Sequence, residues 1–365
     1  MLSPPLQVQP SSNGSSWPCM SFPVRRLIGK LRPRPLTAAA VSSRILCPPS
    51  ETATPPALHL PGDFDNILAF IGAGKPELER RRTFGEAYPH LPTIEYELRD
   101  VRIAGEYLAS RWQVARFPTN RPGGDWGDGG HLKDAFLSTN ILSGKEFGHW
   151  VRDSLVSEMH GNTLGLRSIG LARQLWEHEP GFRALGGLDC DYMRTARVDR
   201  LVYVDDRGLN SFWAERFLQL RGRMRANVDK SVASAGALVF LERGGQARTR
   251  DPTNQPQVRA ALEAIGFRTV TAIDMSAHEI GQALRDAKLI VSVEGSHLNH
   301  LHFFAADKAT VLTIQDPRRY YSFHKSLIDI YGERFGFLIG RPDPGQEGRY
   351  YVELDDLRRL IDLAA

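Results

Sequence analysis

The chain has 365 residues, of which 42% are hydrophobic and 24% charged, a balance that excludes a disordered polymer and leaves length for two cores. No apolar run approaches the ~18 residues of a membrane span. The net charge of +4 is uneven: residues 1–50 hold six cations and no acid, whereas the other 315 hold 40 basic and 42 acidic side chains, so a nucleic-acid-binding body is not supported.

In chain order, residues 1–62 carry 12 of the 23 prolines and several serine pairs, and are expected to form a disordered, basic tail. Within it, Val24, Leu27, Ile28 and Leu31 repeat at helical spacing between Arg25, Arg26, Lys30 and Arg32. That pattern suits an anionic membrane surface. The reading preferred here is a solvated tail, or residues ahead of a start at Met20. An Arg- and Ser-rich, acid-poor start also fits an organellar transit peptide. Cys19, Cys47 and Cys190, distant and odd in number, give neither a disulfide framework nor a zinc ligand set, and point to a reducing compartment.

A first α/β domain is expected over 63–232. Residues 93–105 alternate as one or two strands, the five glycines of 119–130 mark a loop, 146–171 and 173–178 read as helical, and 200–205 as a buried strand. A second domain, 233–345, is more regular. Short apolar strands at 237–243, 267–271, 289–293, 310–314 and 335–339 alternate with helices, one opened by the capping-box pair Ser276 and Glu279. This is the pattern of a doubly wound parallel sheet. Residues 346–365 end in a helix expected to pack back on the first domain.

Ligands of such a sheet bind beyond the carboxyl ends of its strands. Three segments lie there: 242–250 with Arg243, Arg248 and Arg250, 294–299 (EGSHLN), and 315–319 (QDPRR). Arginines and a glycine turn opening a helix suit a diphosphate or phosphate ester. No GxGxxG and no Walker lysine are present. Glu294 suits ribose or sugar hydroxyls, since a carboxylate does not face a phosphate. His297, His300 and His302 crowd one helix, and His297 and His300 share a face, but no carboxylate or cysteine at compatible spacing supplies a third ligand, so no metal site is assigned. In the first domain, His149 and Asp153 stand four apart in FGHWVRD and share a helical face. Either His149 is a base steadied by the carboxylate, or Asp153 is the base and His149 orients an acceptor. A structural pair is the bland alternative.

FGHWVRDSL (147–155), VFLERGGQARTR (239–250) and LIVSVEGSHLNHLHFFAADKATVLTI (289–314) together resemble glycosyltransferase family 61, over roughly residues 95–340. Gly295-Ser296-His297-Leu298 stands where many members carry a Gly-Ala-Gly-Leu-type turn, and Glu242-Arg243 where Ser-Arg is expected. The resemblance implies a GT-B fold, with two Rossmann-like domains facing across a cleft. It implies an inverting, metal-independent hexosyl- or pentosyltransferase using a nucleotide diphosphate sugar, with no further cofactor. The acceptor would be a hydroxyl of a glycan or lipid-linked molecule, as in capsular and surface polysaccharide biosynthesis. The base would be His149 or Asp153. Arg243, Arg248, Gly295, Ser296 and His297 would hold the diphosphate, and Glu294 and Asn299 would orient hydroxyls. A cytoplasmic protein is expected, with peripheral membrane contact only through the basic N-terminal segment. Two alternatives are a nucleotide-sugar epimerase and an inactive glycan- or nucleotide-binding protein.

Overall fold

The computed structural model describes residues 34–71, 76–111, 113–119, 128–244 and 250–364. The strands of its first half are β1 (Ser42–Cys47), β2 (Ser50–Thr52), β3 (Tyr88–His90), β4 (Thr93–Ala104), β5 (Tyr107–Ser110), β6 (Gln113–Arg116), β7 (Asp128–Leu137), β8 (Ser168–Leu171), β9 (Asp191–Met193) and β10 (Thr195–Asp205). The ribbon of β2 and β3 stands apart. The others form one sheet in the order β6-β5-β4-β10-β7-β8-β9, with β1 added to β4. Strands β10, β7, β8 and β9 are parallel, but β4 runs antiparallel to β10, β1 and β5. The sheet is therefore mixed, not the wholly parallel one that a Rossmann-like first domain would have. Tight turns join β4, β5 and β6, and short connections permit only antiparallel neighbours.

The second sheet contains β11 (Leu238–Glu242), β12 (Arg268–Thr271), β13 (Leu289–Val293), β14 (Thr310–Gln315) and β15 (Arg334–Ile339), all parallel, in the order β12-β11-β13-β14-β15. The chain moves outward from β11 to β12 and then crosses back to β13. The order reverses between β11 and β13, and the carboxyl ends of those two strands frame the crevice where such sheets bind ligands. Helices cover both faces, which is why β13 reads as an unbroken apolar run. On one face, Val258, Leu262, Leu357 and Leu360 pack on Phe240, Val291 and Leu312. On the other, Ile280, Leu284, Leu301 and Ile328 join a cluster that also holds Trp150, Leu155, Phe182, Trp213 and Phe217 of the first half. Phe303 meets Phe182 and Phe217 edge-on, with centroids 5.8 and 5.2 Å away. The two sheets thus share an apolar layer.

Several expectations are corrected. Residues 34–62, placed in a disordered tail, are built into both sheets. Strand β1 occupies the proline-free stretch before Pro48 and pairs with β4. Leu58 bonds to Phe335 O and Phe337 N on the edge of β15 (both 2.9 Å). Prolines are tolerated because they fall in connections and at sheet edges, where no ladder donor is required. Residues 1–33, including the basic helical pattern and Met20, lie outside the described residues. Residues 128–130 begin β7 although their glycines suggested loop, and 168–171 are strand although they were read as helix. Residues 173–178 are irregular, and the helix follows at Glu179–Gly186. The C-terminal helix Leu354–Ala364 packs on the second sheet and not back on the first half, because Leu357 and Leu360 find Val258, Leu262 and the β11–β15 face. Among the described residues, no helix is long and apolar enough to cross a membrane.

Because the apolar layer is common to both sheets, they are expected to unfold together. Calorimetry should show a single transition, and Phe303→Ala should lower the stability of the whole by about 3–5 kcal/mol. Two separate transitions, with only one moved by the substitution, would contradict a shared core.

Candidate active site

The FGHWVRD segment follows the carboxyl end of β7. Phe147–His149, Trp150–Ser154 and Leu155–Thr163 run on as one helix whose second section is a π turn. Such turns are rare and concentrate at functional sites. Here the π turn carries Arg152 and Asp153 inward, and both are buried. His149 Nδ1 lies 2.7 Å from Asp153 Oδ2. Arg152 Nε donates to Asp153 Oδ1 at 2.7 Å, and its Nη2 reaches Oδ2 at 3.3 Å. The same Nη2 touches His149 Nδ1. Nδ1 cannot both donate to the carboxylate and accept from the guanidinium, and the carboxylate selects the Nδ1–H tautomer. Nε2 makes no hydrogen bond among the described residues. The His149 side chain keeps 27% of its surface exposed, against 6% for Asp153.

Burial alone would raise the Asp153 pKa. The Arg152 guanidinium and the bond from His149 outweigh it and hold the carboxyl below its usual range. The Arg152 guanidinium also lies over the Phe323 ring, 4.2 Å from its centroid. Arg152 is a member of this cluster that spacing did not single out. Adjacent residues on a regular helix point apart, so the signal was only the presence of a cation between the pair. Asp153 also lines a small cavity with Ser138, Asn140, Ser157, Tyr203, Asp206 and Arg207, at the carboxyl ends of β7 and β10.

The second group lies at the strand-order reversal. Arg243, just past β11, donates from Nη2 to Glu294 O at 2.9 Å. A Cβ on Gly295 would overlap Arg243 Nη2 and stand 2.9 Å from its Cζ and 3.1 Å from His297 Nδ1. Glycine at 295 therefore serves the arginine, whose Nη2 occupies the space a side chain would take. Glu294 is buried and accepts from Arg319 Nη1 at 2.5 Å. Its pKa is raised by burial, with Arg319 opposing. The carboxylate read as a hydroxyl acceptor is thus tied to a cation that spacing left unassigned. Arg250 and Arg319 join Glu294 around a small cavity. Ser296 is exposed and His297 buried. Arg248 lies outside the described residues. Beyond β11 and β12 a cleft of about 730 Å³ is lined by Glu242, Gly244, Thr253, Gln255, Arg259 and Arg349, among others. Glu242 is held there by Arg259 Nε at 3.0 Å.

The two groups meet. A Cβ on Gly148 would come within 2.8 Å of Asn299 Nδ2, so the start of one helix lies directly on the start of the other. Asn299 Nδ2 donates to Ser296 O at 2.7 Å, which fixes the turn. The Phe147 ring stacks on His300, with centroids 5.3 Å apart. His300 Nε2 faces His178 Nδ1 at 2.7 Å, and its Nδ1 donates to His297 O at 2.8 Å. Burial, then His178, pushes the His300 pKa down to about 3. His302 is bracketed by His324 (2.8 Å) and the Tyr331 hydroxyl (3.0 Å). Among the described residues, no group of three or more His, Cys, Asp or Glu side chains is arranged to hold a metal ion.

The depressed Asp153 pKa has a measurable sign. Its contribution to stability is complete above the ordinary carboxylate value of about 3.9 and is lost as pH falls through the lower folded-state value. Asp153→Asn should remove this part of the acid dependence, so urea melts of the variant should lose less stability between pH 7 and pH 3 than wild type. An unchanged acid sensitivity would contradict the arrangement.

Comparison with known proteins adds a family. No curated protein matches the chain. A solved structure, the flavodiiron protein from Giardia intestinalis, is similar at 8% identity with a TM-score of 0.22. The match covers 60% of this chain and 49% of that one, so it spans about half of that structure's length. A likeness so distant carries no argument about fold or function. The family model for Glycosyltransferase 61 matches residues 147–312. That stretch runs from Phe147 through the Gly295 turn and holds both faces of the site, so the part of the chain that carries the site is similar to glycosyltransferase family 61.

Proposed function

We propose that the chain is an inverting, metal-independent transferase of a hexosyl or pentosyl group from a nucleotide diphosphate sugar to a hydroxyl of a glycan or lipid-linked acceptor, in polysaccharide biosynthesis. The observation that carries this reading is the contact of Gly148 with Asn299. It sets an imidazole–carboxylate pair beside a cationic turn at a strand-order reversal, the two halves that a single displacement needs. The arrangement is read as GT-B-like, with the donor on the second sheet and the acceptor on the first.

In this mechanism His149 is the base and Asp153 its orienter. Both Asp153 oxygens are already engaged, and its pKa is depressed, so it is a poor proton acceptor. His149 Nε2 has the free lone pair. It takes the proton of the acceptor hydroxyl as that oxygen attacks the anomeric carbon. The bond from that carbon to the diphosphate oxygen breaks on the opposite side, and the configuration inverts. The departing diphosphate is met by Arg243, with Arg248 assigned to the same role from outside the described residues, and by the backbone N–H groups of Ser296 and His297. Glu294, through Arg319, and Asn299 shape the rim where ribose or sugar hydroxyls bind. The cleft beside Glu242 has the volume of a small-molecule site, ~300–1,000 Å³, and suits the nucleoside.

Two variants separate the two sides. His149→Ala should lower kcat about 10²–10⁴-fold, the usual worth of a positioned base, with nucleotide affinity unchanged. Gly295→Ala should instead weaken nucleotide binding by pushing Arg243 off the turn. Transfer assays over a panel of nucleotide sugars, with calorimetry for the nucleotide, read both. Wild-type turnover by His149→Ala would remove it from the mechanism.

A further inference from the structure

One buried side chain beside the Gly295 turn is only half satisfied. The His297 imidazole is 6% exposed, and its two nitrogens differ. Nε2 lies 2.9 Å from Ser292 Oγ. That hydroxyl has a single proton, which goes to Leu241 O at 2.7 Å. Ser292 Oγ is therefore the acceptor, and His297 Nε2 carries the hydrogen. A neutral imidazole has only one N–H, so Nδ1 is a bare lone pair. Nothing among the described residues donates to it. It faces the space that a Cβ on Gly295 would take, next to the Arg243 guanidinium. A lone pair there has the wrong polarity for a wall that receives phosphate oxygens.

We propose that His297 binds the donor's diphosphate as an imidazolium, the site taking one proton from solvent as the anion enters. Nδ1–H then donates to a phosphate oxygen while Nε2–H stays on Ser292. This inference rests on the nucleotide-binding role given above to the turn, and it adds a proton to that role.

The charges around the ring give the direction. Burial, followed by Arg243 beyond β11, His300 on the same helix and His324 on Phe323–Tyr331, keeps the unliganded ring far below the ordinary histidine value. The nearby Leu241 carbonyl opposes them. Glu294 is on the same turn, with its carboxylate on Arg319, Arg250 and Asp316 line the adjoining cavity, and Asp251 is close to Arg243. Burial and the Arg243 charge therefore keep the free ring unprotonated. A diphosphate brings negative charge into the same space and reverses the balance. Uptake is complete when the working pH lies between the free and bound values, and there nucleotide affinity falls about tenfold per pH unit.

The test is calorimetric titration of the full chain with UDP, GDP, ADP and CDP, near pH 7.5, in buffers of different ionisation enthalpy. Wild type should take up close to one proton per nucleotide bound. His297→Gln, which cannot be protonated, should show about one proton less and an affinity that varies less with pH. The wild-type proton count and pH slope stand without the variant if it does not fold. Binding without uptake, or the same uptake in His297→Gln, overturns the role of His297 and leaves the donor site standing. Failure of all four nucleotides to bind overturns both.

Discussion

The geometry of the site depends on one close approach, that of Gly148 to Asn299. Each residue sits in the first turn of a helix that leaves the carboxyl end of a parallel strand, β7 in one sheet and β13 in the other. A side chain at 148 would displace the Asn299 carboxamide from its place against the Gly148 backbone. Phe147 stacked on His300 seals the contact on one side, and the common apolar layer around Phe182, Phe217 and Phe303 holds it from behind. The imidazole of one helix and the cationic turn of the other are neighbours because the Asn299 carboxamide packs directly on the Gly148 backbone.

Charge is handled differently on the two faces. On the first, Arg152 and Asp153 are buried as a pair, and each oxygen of the carboxylate is occupied. Breaking such a pair is costly because one charge is left buried alone. That cost fixes the tautomer of His149 and leaves its outer nitrogen for chemistry. On the second face, Arg243, Arg250 and Arg319 surround the buried carboxylate of Glu294, with Asp251 and Asp316 close by. Arginines gathered in a partly desolvated crevice are suited to an anion that gains charge as it leaves.

The second half was legible because its signals are local. Continuous apolar strands, the capping box of Ser276 and Glu279, and the strand–helix alternation each depend on residues close in sequence, and the strands fall where periodicity put them. The strand order was not legible, and it is what makes the β11–β13 crevice special. The first half was obscured by antiparallel additions and by a helix interrupted by a π turn, which no 3.6-residue period reveals. The segment 34–62 misled because proline density was taken as a property of the chain. It acts only where a donor is needed, and β1 and Leu58 borrow their partners from β4 and β15. His149 and Asp153 were found by spacing. Arg152 and Arg319, which set their neighbours' charge states, were not, because the structure alone brings them to those carboxylates.

The most direct measurement is a crystal structure with a nucleoside diphosphate bound. The account predicts the diphosphate against Arg243 and the Gly295 turn, its terminal phosphate facing His149 across the Gly148–Asn299 contact. A nucleotide bound elsewhere, such as the open basic groove of Arg225, Lys230 and Arg285, with the Gly295 turn empty, would contradict it.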